Sequence, residues 1–427
     1  MINMKGLLLV LVLGIVSPTL AQGNDGWMFK SPMPTPRLGF SAVLFNGKIY
    51  VMGGQGANGK VLNVVERYDP ATDIWETDLP DLRDNRVHGA AVVFDGKIFV
   101  MGGRSDGDQD EEEHEDDNSG ILKKVEFFDP EEEKWESFQD LVTRREGLSA
   151  VVLQDTMYAI GGSDSINKIL KSVEYYDGNE DEWKIFDRWR LIFPSAALQT
   201  VVVNDSAFSI GGFFTGPVGS IQRYHPKTGI SLRANLRTPR GSLAATSRHE
   251  TIYILGGQGV TQVLKSMEVY VPSSNRLEES VPLNTARQNF AAITVNNTIY
   301  AIGGQDADGK VLDSVEAFDI VTSVTVKGPS VPEEFDLQQN YPNPFNAGTR
   351  INFSVPRQAK SAPLKLQIYN LRGQVVQTLV NRKVAPGEYE VFWDGTDHRG
   401  SPVPSGIHVY TLELGSMKIS KKMTLIR

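Results

Sequence analysis

The sequence predicts an all-β protein, a six-bladed β-propeller followed by a small β-sandwich. Three observations predict it. A glycine pair closes an apolar run six times, in "KIYVMGGQ", "KIFVMGGR", "MYAIGGS", "AFSIGGF", "IYILGGQ" and "IYAIGGQ". The pairs begin at Gly53, Gly102, Gly161, Gly211, Gly256 and Gly303, at intervals of 49, 59, 50, 45 and 47 residues. From Phe335 onward the glycine pairs stop, and short alternating apolar runs take over, separated by Gly, Pro, Asn and Asp.

Each repeat supplies four strands. Sixteen residues before the first glycine stand Arg37, Arg86, Arg145, Ser195, Arg240 and Arg287. Two β-rich runs follow, meeting at "FNGK", "FDGK", "LQDT", "VNDS", "RHET" and "VNNT". Asn-Gly and Asp-Gly suit the positive φ angles of a two-residue hairpin turn. A third run follows the glycines in "VERYDP", "VEFFDP", "VEYYDG", "IQRYHP", "MEVYVP" and "VEAFDI". Trp75, Trp135 and Trp183 open a fourth run nine residues past Glu66, Glu126 and Glu174, whereas later repeats have Ser231, Leu277 and Thr325 there. Four short antiparallel strands at this period make one propeller blade. A glycine pair permits a sharp exit and close approach of the next blade. Tyr and Trp fill the gaps between blades. The glycine pair, Glu, Tyr-Asp and Trp resemble the kelch repeat, over roughly Gly23–Lys327. Two segments compete to complete the sixth blade: "GWMFKSPMPTPR" from Gly26, which keeps the Trp, and "SVTVKGPSVP" from Ser323. The first is expected to close the ring.

Composition narrows the function classes. The net charge of −9 resides in Ser105–Gly120, which holds nine acidic residues and no Lys or Arg; the remaining charges balance. No basic stripe suits nucleic acid or an anionic membrane. The apolar run Gly6–Val16 follows Lys5 and precedes small residues at Thr19 and Ala21, which predicts a secretory signal over residues 1–21 and no transmembrane helix after its removal. Cysteine is absent, which excludes disulfides, thiolate metal sites and an acylated Cys. It also excludes the Tyr–Cys cross-link of copper-radical oxidases with kelch-type propellers.

The expected domains are residues 22–327, the propeller; 328–334, a linker; and 335–427, the sandwich. In the last, period-two alternation marks Ile351, Phe353 and Val355; Leu364, Leu366 and Ile368; and Tyr389, Val391 and Trp393. With "NYPNPFN" at Asn340–Asn346, Gly373-Gln374, Trp393-Asp394-Gly395, Ser405-Gly406-Ile407 and Lys421-Lys422-Met423, this segment resembles the C-terminal sorting domain of type IX secretion cargo. That domain is akin to the immunoglobulin-like domain of flagellar hook-capping proteins. Departures are Ala347, where the family usually has proline, and His408, where it usually has an aromatic. The resemblance implies a bacterial exported protein, released or held at the outer cell surface, with the type IX-like machinery as a partner. A plain spacer domain is the alternative.

Strand alternation places the loops between second and third strands, and those leading into each inner strand, on one face. Arg37, Arg86, Arg145, Arg240 and Arg287 are expected near the opening on that face. They are either a cationic ring for carboxylates or architectural donors to blade carbonyls. Gln55, Arg104, Gln258 and Gln305 directly follow glycine pairs and are placed at the same opening. The repeat glutamates are expected to be structural. Asp106, Asp108 and Asp110 alternate as hard-oxygen ligands for calcium, though the twelve-residue calcium-loop pattern is incomplete and a solvated charge run is the alternative. No nucleophile elbow, His metal pair or phosphate loop is present. The expected function is binding of a glycan or protein on the loop face, with no catalytic residues assigned. Two alternatives stand beside it: an enzyme similar to the sialic acid mutarotases among exported kelch propellers, and a structural envelope or adhesion protein.

Overall fold

The computed structural model describes residues 26–106, 120–320, 325–326, 332–346, 348–357, 363–384, 386–397 and 401–426. The expected signal segment lies outside the described residues, as do Asp108 and Asp110. The chain is all-β, and its repeats form six four-stranded antiparallel sheets. Blade one runs Ser41–Phe45, Lys48–Met52, Val65–Asp69 and Ile74–Glu76 from the inside out. The first hairpin turns on Asn46 and Gly47 at φ 49° and 77°, and the second on Asp95 and Gly96 at 45° and 70°, as a primed turn requires.

The six inner strands, Ser41–Phe45, Ala90–Phe94, Ser149–Leu153, Gln199–Val203, Ala244–Arg248 and Ala291–Val295, surround an axial cavity of 380 Å³. The core lies between blades, where aromatic residues fill the wedge left by sheet twist. Tyr68 of blade one packs on its own Trp75 and on Tyr300 of blade six. Trp135 of blade two joins Val43 and Tyr50 of blade one in another such cluster. Blade four has Ser231 at the Trp position. The long fourth strand of blade three, Glu182–Arg190, fills that gap by stacking Trp189 on Tyr224 at 4.2 Å.

The N-terminal strand closes the ring. Trp27–Lys30 pairs with Val315–Asp319, Trp27 opposite Phe318. Trp27 is buried, and its Nε1–H donates to the Val281 carbonyl. Thr325–Val326, counted with the propeller on sequence spacing, instead pairs with Glu390 and Tyr389 of the C-terminal domain. Trp27 explains the preference: the competing segment offers only threonine for the aromatic wedge.

The C-terminal domain is a sandwich of two four-stranded sheets. Its core includes Ile351, Phe353, Leu364, Leu366, Ile368, Tyr389, Val391 and Trp393, the inward positions of the alternating runs. "NYPNPFN" ties its end together. Asn340 is buried and donates to Thr349 Oγ1 at 2.9 Å, and the Phe345 N–H donates to the Thr424 carbonyl at 3.0 Å.

Candidate functional site: the loop face of the propeller

The five repeat arginines lie beneath the loop face, not on it. Each is at most 1% exposed. Nη1 of Arg37, Arg145 and Arg287 donates at 2.9 Å to the carbonyl of Gly53, Gly161 and Gly303, the first glycine of each pair. Arg86 and Arg240 do the same with Gly102 and Gly256. Each guanidinium also meets its blade's third-strand glutamate: Arg37–Glu66 at 3.0 Å, Arg240–Glu268 at 2.7 Å, and likewise Arg86–Glu126, Arg145–Glu174 and Arg287–Glu316. The glutamates in turn accept backbone N–H groups of the incoming chain, as Glu126 does from Arg83 at 2.8 Å and Glu316 from Asn284 at 2.7 Å. The cationic-ring expectation is therefore corrected. A buried guanidinium held by carbonyls and paired with a buried carboxylate presents no charge to a ligand.

Ser195 is the exception that fits this account. Its blade carries Gln222 where the others carry glutamate. Gln222 Oε1 still accepts the incoming Ile192 N–H at 2.7 Å, so the bond to the chain survives while both charges are gone.

The glycine pairs are required where neighbouring blades touch. Gly53 and Gly54 have φ of 65° and 98°, and a Cβ on Gly53 would stand 2.6 Å from the Arg86 carbonyl of the next blade. That same carbonyl accepts the Gly54 N–H at 2.7 Å.

The mouth of the axial cavity is framed by a closed circuit of six backbone hydrogen bonds. His88 N donates to Gly39 O, Gly147 to His88, Ala197 to Gly147, Ser242 to Ala197, Asn289 to Ser242 and Gly39 to Asn289, over 2.6–2.9 Å. All six residues are left-handed, with φ between 49° and 62°. Non-glycine residues visit this region at some cost, so the circuit holds them there.

Around this frame each blade contributes one residue after its glycine pair, bridged to the residue after its Arg or Ser. Gln55 pairs with Leu38, Arg104 with Val87, Ser163 with Glu146, Phe213 with Ala196, Gln258 with Gly241 and Gln305 with Gln288. The structure thus brings Gln55, Arg104, Gln258 and Gln305 to one rim. The glutamines brace their own loops: Nε2 of Gln55, Gln258 and Gln305 donates to the carbonyl of Gly59, Gly259 and Gly309. Arg104 forms a two-pronged pair with Glu146 of the next blade, at 2.8 Å and 2.6 Å. Glu146 and His88 were not singled out from the sequence. The signal for Glu146 was an acid directly after the repeat arginine; nothing in the spacing distinguished His88. The His88 ring lies against Gly39, with Nε2 buried and unpartnered. Burial holds its imidazole below the ordinary histidine range; Glu146 acts against that shift and Arg104 adds to it.

On the loops of blades three, four and five, Ile166, Phe214 and Val260 are 79%, 51% and 77% exposed. Asp106 bridges blades one and two, accepting from Val61 N at 2.9 Å and Asn85 Nδ2 at 2.7 Å. Among the described residues no group of three or more acids and histidines is arranged to hold a metal.

Known proteins place this architecture. A KLHDC2/KLHL20/DRC7 Kelch-repeats domain matches residues 26–212, a Kelch motif matches 286–324, and a FlgD Ig-like domain matches 339–418. Kelch-like protein 25 of Rattus norvegicus is 30% identical over 259 residues, covering 58% of this chain and 41% of the relative. Kelch-like protein 40 of Xenopus laevis is 32% identical over 140 residues, covering 33% of this chain and 21% of the relative. The chain therefore spans less than half the length of these curated relatives. The solved structure described as "Structure of YjhT" superposes with a TM-score of 0.55 at 17% identity, over 69% of this chain and 96% of that one, a likeness of fold. Kelch-repeat domains and a FlgD Ig-like domain are found in this chain, and its all-β propeller has the kelch fold.

Proposed function

We propose that this is an exported binding protein that holds a glycan or protein ligand on the loop face of its kelch propeller. The observation that carries this reading is the contrast between frame and rim. Five of six blades repeat the same buried Arg–Glu pair and all six share the backbone circuit, while the bridged rim position is Gln55, Arg104, Ser163, Phe213, Gln258 and Gln305 in turn. A rigid scaffold that fixes six different loops is the usual basis of a recognition surface. Polar groups around Arg104 and Glu146 suit hydroxyls and amides, and exposed Ile166, Phe214 and Val260 add apolar contact. The resemblance of residues 335–427 to type IX sorting domains and the predicted signal segment support delivery to the cell surface or medium of a bacterium.

The test is a screen of the secreted chain against glycan and surface-protein panels, followed by titration of any hit. Arg104→Ala and Phe214→Ala are expected to weaken binding at least about tenfold, the range of a rim residue that matters. A ligand whose affinity survives both variants, and Gln305→Ala as well, would place the site elsewhere. N-terminal processing near residue 21 and appearance of the chain outside the cell, lost on deletion of residues 335–427, test the export reading.

A further inference from the structure

The face opposite the loops carries a second cavity, of 240 Å³, between blades four and five. Its lining includes Arg223, Arg233, His225, Asp205, Glu250 and Ser273. Local geometry aims the cations there. Tyr224 stacks on Trp189 toward blade three, so strand alternation turns Arg223 and His225 toward blade five. Arg233 is the extra residue of a β-bulge, because Ile221 pairs with Ala234 while Gln222 pairs with Leu232. A bulge re-aims the side chain it carries. These arginines differ from the five scaffold arginines in that, among the described residues, neither is paired with a carboxylate; the Nε–H of each is buried without an acceptor, as it is in Arg86, Arg145 and Arg287. Arg223 Nη2 reaches only Thr228 Oγ1, at 3.3 Å. His225 Nδ1 accepts from Lys227 N at 3.1 Å, which leaves its ring proton on Nε2 as a further donor.

We propose that this cavity binds a small hydroxylated monoanion, an acid sugar carrying one carboxylate or one sulfate monoester. Two guanidinium groups without a carboxylate partner line one cavity, each with an Nε–H that lacks an acceptor, and an oxyanion there would supply both charge and acceptor. Asp205 and Glu250 at the rim oppose a dianion such as phosphate and accept hydrogen bonds from hydroxyls. The volume falls below the ~300–1,000 Å³ of larger ligand sites and admits a single ring, not a chain. The site is separate from the loop face and does not depend on the reading given to it.

The test is calorimetric titration of the full chain with glucuronate, glucose 6-sulfate, glucose and inorganic phosphate. Saturable one-to-one binding of glucuronate or glucose 6-sulfate is expected, stronger than that of glucose or phosphate; which of the two acids binds identifies the anionic group. Arg233→Gln is expected to weaken it at least about tenfold, the loss of one charge-assisted contact. Glu250→Gln, an exposed change that removes repulsion, is expected to tighten it and so tests the site even where an arginine variant fails to fold. Absence of saturation by both acids, phosphate binding as tightly as either, or affinity unchanged in Arg233→Gln and Glu250→Gln alike, would overturn the proposal.

Discussion

Ser195 and Gln222 occupy, in blade four, the two places that an arginine and a glutamate occupy in every other blade. The pair has been neutralised together. A buried charge without its partner costs far more than the pair gains, so a single change at either place is penalised. Gln222→Glu alone is expected to lower stability by about 3 kcal/mol. The double variant Ser195→Arg with Gln222→Glu is expected to recover most of that loss. Denaturant unfolding of the four proteins of this cycle gives the coupling directly, and additivity would show that blade four has lost the geometry of the pair.

In the charged blades the same logic runs in reverse. Arg240→Ala strips Glu268 of its partner and leaves the Gly256 carbonyl without its donor. A loss of about 3–5 kcal/mol is expected, seen as a lower denaturation midpoint. Rim variants such as Gln305→Ala are expected to stay within about 0.5 kcal/mol of the parent. Equal effects at the two positions would contradict the division into frame and rim.

Ring closure rests on one short strand. Trp27 is 1% exposed and packs on Phe318 with ring centroids 5.2 Å apart. Trp27→Ala is expected to cost about 3–5 kcal/mol. Hydrogen exchange should quicken in both partners of the seam, Trp27–Lys30 and Val315–Asp319, before it does in blades two and three. Uniform exchange across all blades would show that the seam is no weaker than the other blade contacts.

A pH dependence follows from His88. Its imidazole is held below the ordinary value of 6.5, chiefly by burial. The folded state therefore resists a proton that the unfolded chain accepts. The stability this residue supports is complete above about pH 6.5 and is lost as pH falls below that value toward the lower folded pKa. His88→Asn keeps a side chain tolerant of positive φ, as Asn289 shows in blade six, and removes the titration. The difference in stability between parent and variant should shift in the variant's favour on going from pH 7 to pH 5; a constant difference would show that His88 does not titrate in that range.

Much of the fold was legible because it is written in short-range spacing. Hairpin turns such as Asn46-Gly47, the glycine pairs and the Trp positions lie within a few tens of residues of one another and recur, so blade number and strand order follow. The role of the arginines was not legible in the same way. An arginine at the start of an inner strand lies equally near the mouth and the blade interior, and only the third-strand glutamate decides between them. The pattern did hold a clue, since Ser195 and Gln222 depart from it within one blade. Arg233 had no such clue, because a bulge depends on how two strands pair and not on the residues of one. His88 looked like any histidine until the backbone circuit fixed it over Gly39.

That circuit has a consequence for how the mouth treats charge. Each of its six residues donates its N–H to one neighbour and accepts on its carbonyl from the other, in a single rotational sense, so these backbone groups are spent on one another. A helix terminus attracts anions through free backbone N–H groups; the N–H groups of this circuit are already donated. The charged and titratable side chains beside the circuit are Arg104, Glu146 and His88. Selectivity at the opening can therefore change by substitution without disturbing the frame that holds the six blades together.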